Sequence, residues 1–116
     1  MIETFAALAE PNRLRIVELL RGGPRAVGDI GVRLRLQQPQ VSKHLRVLRD
    51  AGLVDVQPRA QHRLYELRGA PLREVHLWLE QYRSFWEARF QQLDGVLEDL
   101  KRREQKEKRH GRGRRR

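Results

Sequence analysis

The stretch QPQVSKHLRVLRDAGLV, residues 38–54, decides how this chain folds. Val41, Leu45 and Leu48 recur at spacings of four and three, which places them on one face of a helix. Pro39 stands in its first turn, where a missing N–H costs nothing, and Gly52 stands where a helix ends on glycine. The spacing predicts a helix over about residues 38–51. Its opposite face carries Gln38, Gln40, Ser42, Lys43 and Arg46, so one side is built to be held and the other is free to touch something polar.

Upstream, Pro11 opens a second helix over about residues 11–21, with Leu14, Val17, Ile16 and Leu20 as its apolar residues, until Gly22-Gly23-Pro24 stops it. A short apolar stretch with Phe5 and Leu8 precedes it as a small N-terminal helix. Val27, Ile30 and Leu34 give a third, softened by Gly28 and Gly31, each costing about 1 kcal/mol relative to Ala in a helix interior. Downstream, residues 53–56 and 63–67 are short β-branched or aromatic runs separated by Pro58, Arg59, Ala60, Gln61 and His62, which reads as a two-stranded hairpin.

Beyond Pro71 the seam Leu72, Val75, Leu79, Tyr82, Trp86, Arg89, Leu93, Val96 and Leu100 alternates spacings of three and four, with Arg89 as its one polar member. One helix of about thirty residues, roughly 45 Å long, is expected here. A domain of this size cannot cover it, and Trp78, Phe85 and Phe90 add aromatic surface, so a second copy of the chain is expected on it. The dimerisation residues expected are Phe5, Leu8, Val75, Leu79, Tyr82 and Trp86.

The chain has 116 residues and a formal net charge of +10. Length suits one domain, read as residues 1–100, followed by a basic, largely disordered tail over 101–116. That tail holds ten Lys/Arg against two Glu; residues 33–68 hold eight Lys/Arg against three acids, a candidate phosphate-binding face. There is no cysteine, so neither disulfides nor thiolate metal sites arise. The sequence shows no signal peptide and no membrane span, and a cytoplasmic protein without membrane partners is expected. No Gly-rich phosphate loop and no nucleophile with a base in view point to an enzyme.

Three helices, a short turn, a fourth helix and a hairpin follow the order of a winged helix-turn-helix unit, mainly α with a small β-hairpin, with five helices in all. The fourth helix would enter the major groove of double-stranded operator DNA and the hairpin would reach the neighbouring backbone. The DNA-binding residues expected are Gln38, Gln40, Ser42, Lys43, His44 and Arg46 on the helix and Arg59, Gln61, His62 and Arg63 on the hairpin. Amides and hydroxyls suit base edges, whereas Lys and Arg suit guanine or phosphate. The alternative is a sequence-nonspecific nucleic-acid binder driven by the tail, against which stand the uncharged Gln38, Gln40 and Ser42, of little use to a pure phosphate binder. A third reading is an interaction module whose aromatic helix binds a different protein.

FAALAEPNRLRIVELL, residues 5–20, followed by QPQVSKHLRVLRDAGLV, closely resembles the ArsR family of winged-helix repressors, and the resemblance extends over residues 4 to about 100. It implies a homodimer built on the first and last helices, a recognition helix at 38–51, a wing at 57–63, and repression relieved by a signal the sequence does not name. It is most similar to a metal-independent branch whose members are often autorepressors. Arg35 stands where the family's turn usually has Gly, Gln37 replaces the usual Ser cap at a cost on the order of 1 kcal/mol, and Ala60 replaces a usual wing-tip Gly. Metal-sensing relatives use a thiolate in the third helix or carboxylates and histidines on the last. The first is missing here. Of the second, Glu74, His76 and Glu87 have suitable positions, but Phe90 replaces the final His, so no metal and no other cofactor is expected.

Overall fold

A computed structural model describes residues 1–59 and 61–114. The elements run α1 (Ile2–Leu8), α2 (Pro11–Leu20), β1 (Arg25–Ala26), α3 (Val27–Leu34), α4 (Gln38–Asp50), β2 (Val54–Arg59), β3 (His62–Leu67), α5 (Gly69–Glu80) and α6 (Arg83–Arg114). The fold is mainly helical, and the chain divides into two compact units, Met1–Leu77 and Trp78–Arg116.

In the first unit, α2 begins where the Glu10 carboxylate accepts the Arg13 backbone N–H at 2.8 Å, with Pro11 as the first helical residue. Ile16, Val17 and Leu20 are buried, whereas Leu14, expected on the apolar face, is 43% exposed. The inward face is set by Arg13, whose guanidinium turns back to the Ala7 and Ala6 carbonyls at 2.6 and 3.3 Å and so satisfies the end of α1. Residues 13, 16, 17 and 20 then lie inward together, and Leu14 falls outside that arc. The core joins Ile16, Ile30, Val41, Leu45, Leu48, Leu53 and Val54, all fully buried, and the expected Val27 and Leu34 of α3 pack against it.

The hairpin is antiparallel, from Val54 opposite Leu67 to Arg59 opposite His62. It belongs to a three-stranded sheet of order β1-β3-β2, because Arg25 and Ala26 pair with Tyr65 and Leu64 on the other side of β3. Two residues leave no periodicity to read, and β1 exists only because β3 lies beside it. Ala60, read as the wing tip, lies outside the described residues.

The expected single last helix is two helices, making six among the described residues. Gln81 N–H donates to the Trp78 carbonyl at 3.2 Å and Tyr82 N–H to that of Leu79 at 3.0 Å, three residues back instead of four. This tightened turn closes α5 before α6 starts. The three-and-four spacing of the sequence continues across this turn, because side-chain spacing does not report which carbonyl each N–H chooses.

In the second unit, Trp78 and Tyr82 meet edge to face, ring centroids 5.2 Å apart, and the Arg89 guanidinium lies 4.3 Å from the centre of the Phe85 ring. Trp86 is half-buried, and the other side chains from Arg83 to Arg109 are exposed. The helix continues to Arg114, through most of the segment read as a disordered tail; residues 115 and 116 lie outside the described residues. Lys, Arg, Glu and Gln are good helix formers, and Glu104 and Lys108 form an i,i+4 ion pair at 3.6 Å. No described helix is long and apolar enough to cross a membrane.

Candidate DNA-binding face

The candidate face begins at the turn between α3 and α4. Arg35 closes α3 in the left-handed conformation, φ 58° and ψ 44°. Its N–H and that of Leu36 both return to the Gly31 carbonyl, the latter at 2.9 Å. The turn folds back so closely that a Cβ on Gly31 would sit 2.9 Å from the Leu36 carbonyl oxygen. Gly31, which weakens α3 as a helix, is therefore what allows α4 to follow it after three residues.

Gln37 is the N-cap of α4, and its backbone N–H donates to the Gln40 side-chain oxygen at 3.1 Å. This is the reach-back half of a capping box, and it compensates for the missing serine. Val41, Leu45 and Leu48 are at most 1% exposed, which fixes the rotation of α4 about its axis. Gln38, Gln40, Ser42, Lys43 and Arg46 are all exposed on the remaining surface, together with Arg49, which the spacing pattern does not single out although it lies in the last turn of the same helix.

His44 stands apart from this group. It is half-buried, its Nδ1 3.6 Å from the Glu10 carboxylate, so it packs toward the start of α2 and not among the exposed polar residues. The Arg13 backbone N–H bond is the main cause that holds the Glu10 carboxyl below its usual range, against some desolvation and helped by the Asn12 backbone N–H and the charges of His44 and Arg13. Helical spacing alone could not separate His44 from Lys43, because the partner that draws it inward is thirty-four residues back in sequence.

Arg59, Gln61, His62 and Arg63 are exposed together at the end of the hairpin, where Arg63 lies opposite Pro58. Two of the eight cations in residues 33–68 are already engaged: Arg33 with Asp29 at 3.0 Å and Arg68 with Asp55 at 3.5 Å. Asp29 also takes Arg25 at 2.8 Å, and that bond chiefly holds its carboxyl below the usual range. Lys43, Arg46, Arg49, Arg59 and Arg63 have no carboxylate within ion-pairing distance among the described residues. The charges of Arg33 and Arg68 are thus neutralised, whereas those on α4 and the hairpin are uncompensated.

Of the residues read as dimerisation contacts, Phe5, Leu8 and Val75 are half-buried in the first unit, Leu8 against the core. In the second, Leu79 and Tyr82 are 40% and 43% exposed and Trp86 is half-buried. Glu74 lies 3.9 Å from the N-terminal amine and Glu87 pairs with Arg83 at 3.5 Å. Among the described residues no three His, Asp or Glu are grouped to hold a metal ion.

A helix pinned by its apolar face behind a tight turn, with a polar outer face and an adjoining basic hairpin, defines a winged helix-turn-helix DNA-binding protein. Residues 10–56 match the family described as "Bacterial regulatory protein, arsR family". The transcriptional repressor SdpR of Bacillus subtilis is 30% identical over 79 residues, 68% of this chain and 88% of that protein. An ArsR-like transcriptional regulator from Rhodococcus sp. RHA1 superposes with a TM-score of 0.66 at 25% identity, over 82% of this chain and 90% of the other. The homodimeric winged helix-turn-helix DNA-binding domain of a possible ArsR-family regulator from Mycobacterium bovis gives 0.59 at 25% identity, over 72% and 77%. The chain belongs to the ArsR family of bacterial transcriptional regulators.

Proposed function

We propose that the chain is a homodimeric repressor that reads operator DNA with α4 and steadies itself on phosphates with the hairpin, acting in the cytoplasm on its own or a neighbouring operon. The observation that carries this is the division of α4: one face completely buried, the other presenting Gln38, Gln40 and Ser42 between cations. Neutral amides and hydroxyls add little to phosphate binding but discriminate base edges. Arg59, Gln61, His62 and Arg63 are placed to follow the backbone, Lys43 and Arg46 to contact guanine or phosphate. SdpR is a repressor and the M. bovis domain a homodimer, and both properties are carried over here as part of the proposal.

The protein acts by binding and not by catalysis. The test is a footprint on the DNA upstream of its own gene. Ser42→Ala should lower affinity there by about 1–3 kcal/mol and leave binding to random duplex nearly unchanged. Equal losses on both DNAs would refute sequence reading by this face.

Repression is also proposed to be independent of metal. His76 has Glu74 as its near carboxylate in sequence and Phe90 where a further imidazole would be needed, too thin a donor set for a four-coordinate site. Zinc at micromolar concentration should not release the DNA. Stoichiometric binding abolished by His76→Ala would reverse this part of the proposal.

A further inference from the structure

The charges beyond Leu100 are sorted by face. At the helical rotation of about 100° per residue, Lys101, Arg102, Lys106 and Arg109 fall within a sector of about 140° of α6, with Gln105 between them. Glu104 and Glu107 lie in the remaining sector, where Glu104 is paired with Lys108 at 3.6 Å. All nine residues from 101 to 109 are exposed, and among the described residues no carboxylate pairs with any of the four sorted cations. A helix charged only for solubility alternates signs so that i,i+4 pairs form on every face. Here the one ion pair among the described residues 101–109 lies outside that sector. Like charges crowded within it cost stability unless something negative meets them.

We propose that Lys101, Arg102, Lys106 and Arg109 of α6 form a second nucleic-acid contact, an arm that tracks the phosphates of duplex DNA. The four span nine residues, eight steps and a rise of about 12 Å. Phosphates on one strand follow every 3.4 Å or so along the duplex axis, so the face matches three or four of them. Residues 101–109 include no apolar side chain, so this stretch lacks the face by which an interfacial helix enters a bilayer. They include no aromatic side chain, so it lacks the platform on which single-stranded bases stack. Phosphate charge is what remains to be recognised, and contacts of this kind carry no sequence information. The family match ends at residue 56 and does not account for the arm. The inference rests on the DNA-binding reading and adds to it a site separate from α4 and the hairpin.

The test measures binding of the full chain to a random-sequence duplex of about 30 base pairs, at salt from about 50 to 300 mM, by fluorescence anisotropy. The variant replaces Lys101, Arg102, Lys106 and Arg109 with Gln, which keeps good helix propensity; circular dichroism should show unchanged helix content. Each phosphate that the arm no longer neutralises flattens the dependence of log affinity on log salt by about 0.9, so a drop in slope of up to about 3.6 per arm is expected. Arg103→Gln with Lys108→Gln, outside that sector, should change it far less, and Arg102→Lys with Arg109→Lys should retain it. An unchanged slope in the fourfold variant overturns the arm while the DNA-binding reading stands, as does an equal drop from the Arg103 and Lys108 variant. Wild-type protein that binds no duplex at all overturns that reading, and the arm with it.

Discussion

At the scale of the residue, Gly31 and Arg35 hold the turn between α3 and α4 in different ways. An added methyl at Gly31 meets a backbone carbonyl that cannot move without shifting the start of α4, whereas one at Gly28 meets nothing within 4 Å. Gly28→Ala should therefore stabilise the protein by about 0.4–1 kcal/mol, and Gly31→Ala should destabilise it by more than that. Arg35 carries the left-handed strain that a side chain brings, on the order of 1–2 kcal/mol, so Arg35→Gly should raise the urea midpoint despite the added freedom of the unfolded chain. An Arg35→Gly protein that unfolds at lower urea would mean that the guanidinium contributes more than the strain costs. Gln40 and Ser42 also separate here. The Gln40 oxygen is occupied by the Gln37 N–H, so Gln40→Ala should lower thermal stability as well as operator affinity, the cap being worth on the order of 1 kcal/mol. Ser42→Ala should lower only affinity.

At the scale of the element, α1, α2 and α4 are tied together by Glu10 and Arg13. Glu10 caps α2 through Arg13 and faces His44 of α4, while the Arg13 side chain ends α1. Because the folded state holds the Glu10 carboxyl below its usual range, the stability it contributes is complete above that range and is lost as pH falls through the lowered value. Asp29, lowered chiefly by Arg25, acts in the same direction. Wild type should thus lose stability on acidification below about pH 4 to 5, and Glu10→Gln should lose less over the same interval, with the Asp29 part remaining. Chemical denaturation across that range measures the difference. If the two proteins keep a constant gap at every pH, Glu10 is uncoupled from folding.

At the scale of the whole molecule, the proposed homodimer answers the question of what covers α6. Phe85, Phe90, Leu93, Val96 and Leu100 are each more than half exposed along one helix of the protomer. Apolar surface repeated through successive turns is characteristic of an interface. Replacing Tyr82 and Trp86 with Asp should produce monomers in sedimentation and, with the two half-sites no longer engaged together, abolish operator binding at the same protein concentration. A double variant that stays dimeric and still binds would place the interface on other residues. Loss of DNA binding in a variant that remains dimeric would instead separate α6 from assembly.

What the sequence determined by itself is the set of local decisions. The three-and-four spacing of Val41, Leu45 and Leu48 determined which face of α4 is held and therefore that Gln38, Ser42, Lys43 and Arg46 are free. Pro11 and Pro39 marked helix starts, and the paired apolar runs marked β2 and β3. These are short-range properties, written in the periodicity of each segment. Tertiary structure alone decided which polar groups are occupied and where a marginal segment goes. It turned Leu14 outward because Arg13 reaches α1, drew His44 inward to Glu10, and made a strand of Arg25 and Ala26 because Leu64 and Tyr65 lie beside them. It closed α5 at Gln81 and Tyr82 by a change of hydrogen-bond partner that side-chain spacing does not record. In each case the deciding atom is a backbone carbonyl or comes from a distant part of the chain. Side-chain spacing records the face a residue shares with its neighbours, but not the partner it meets across the fold.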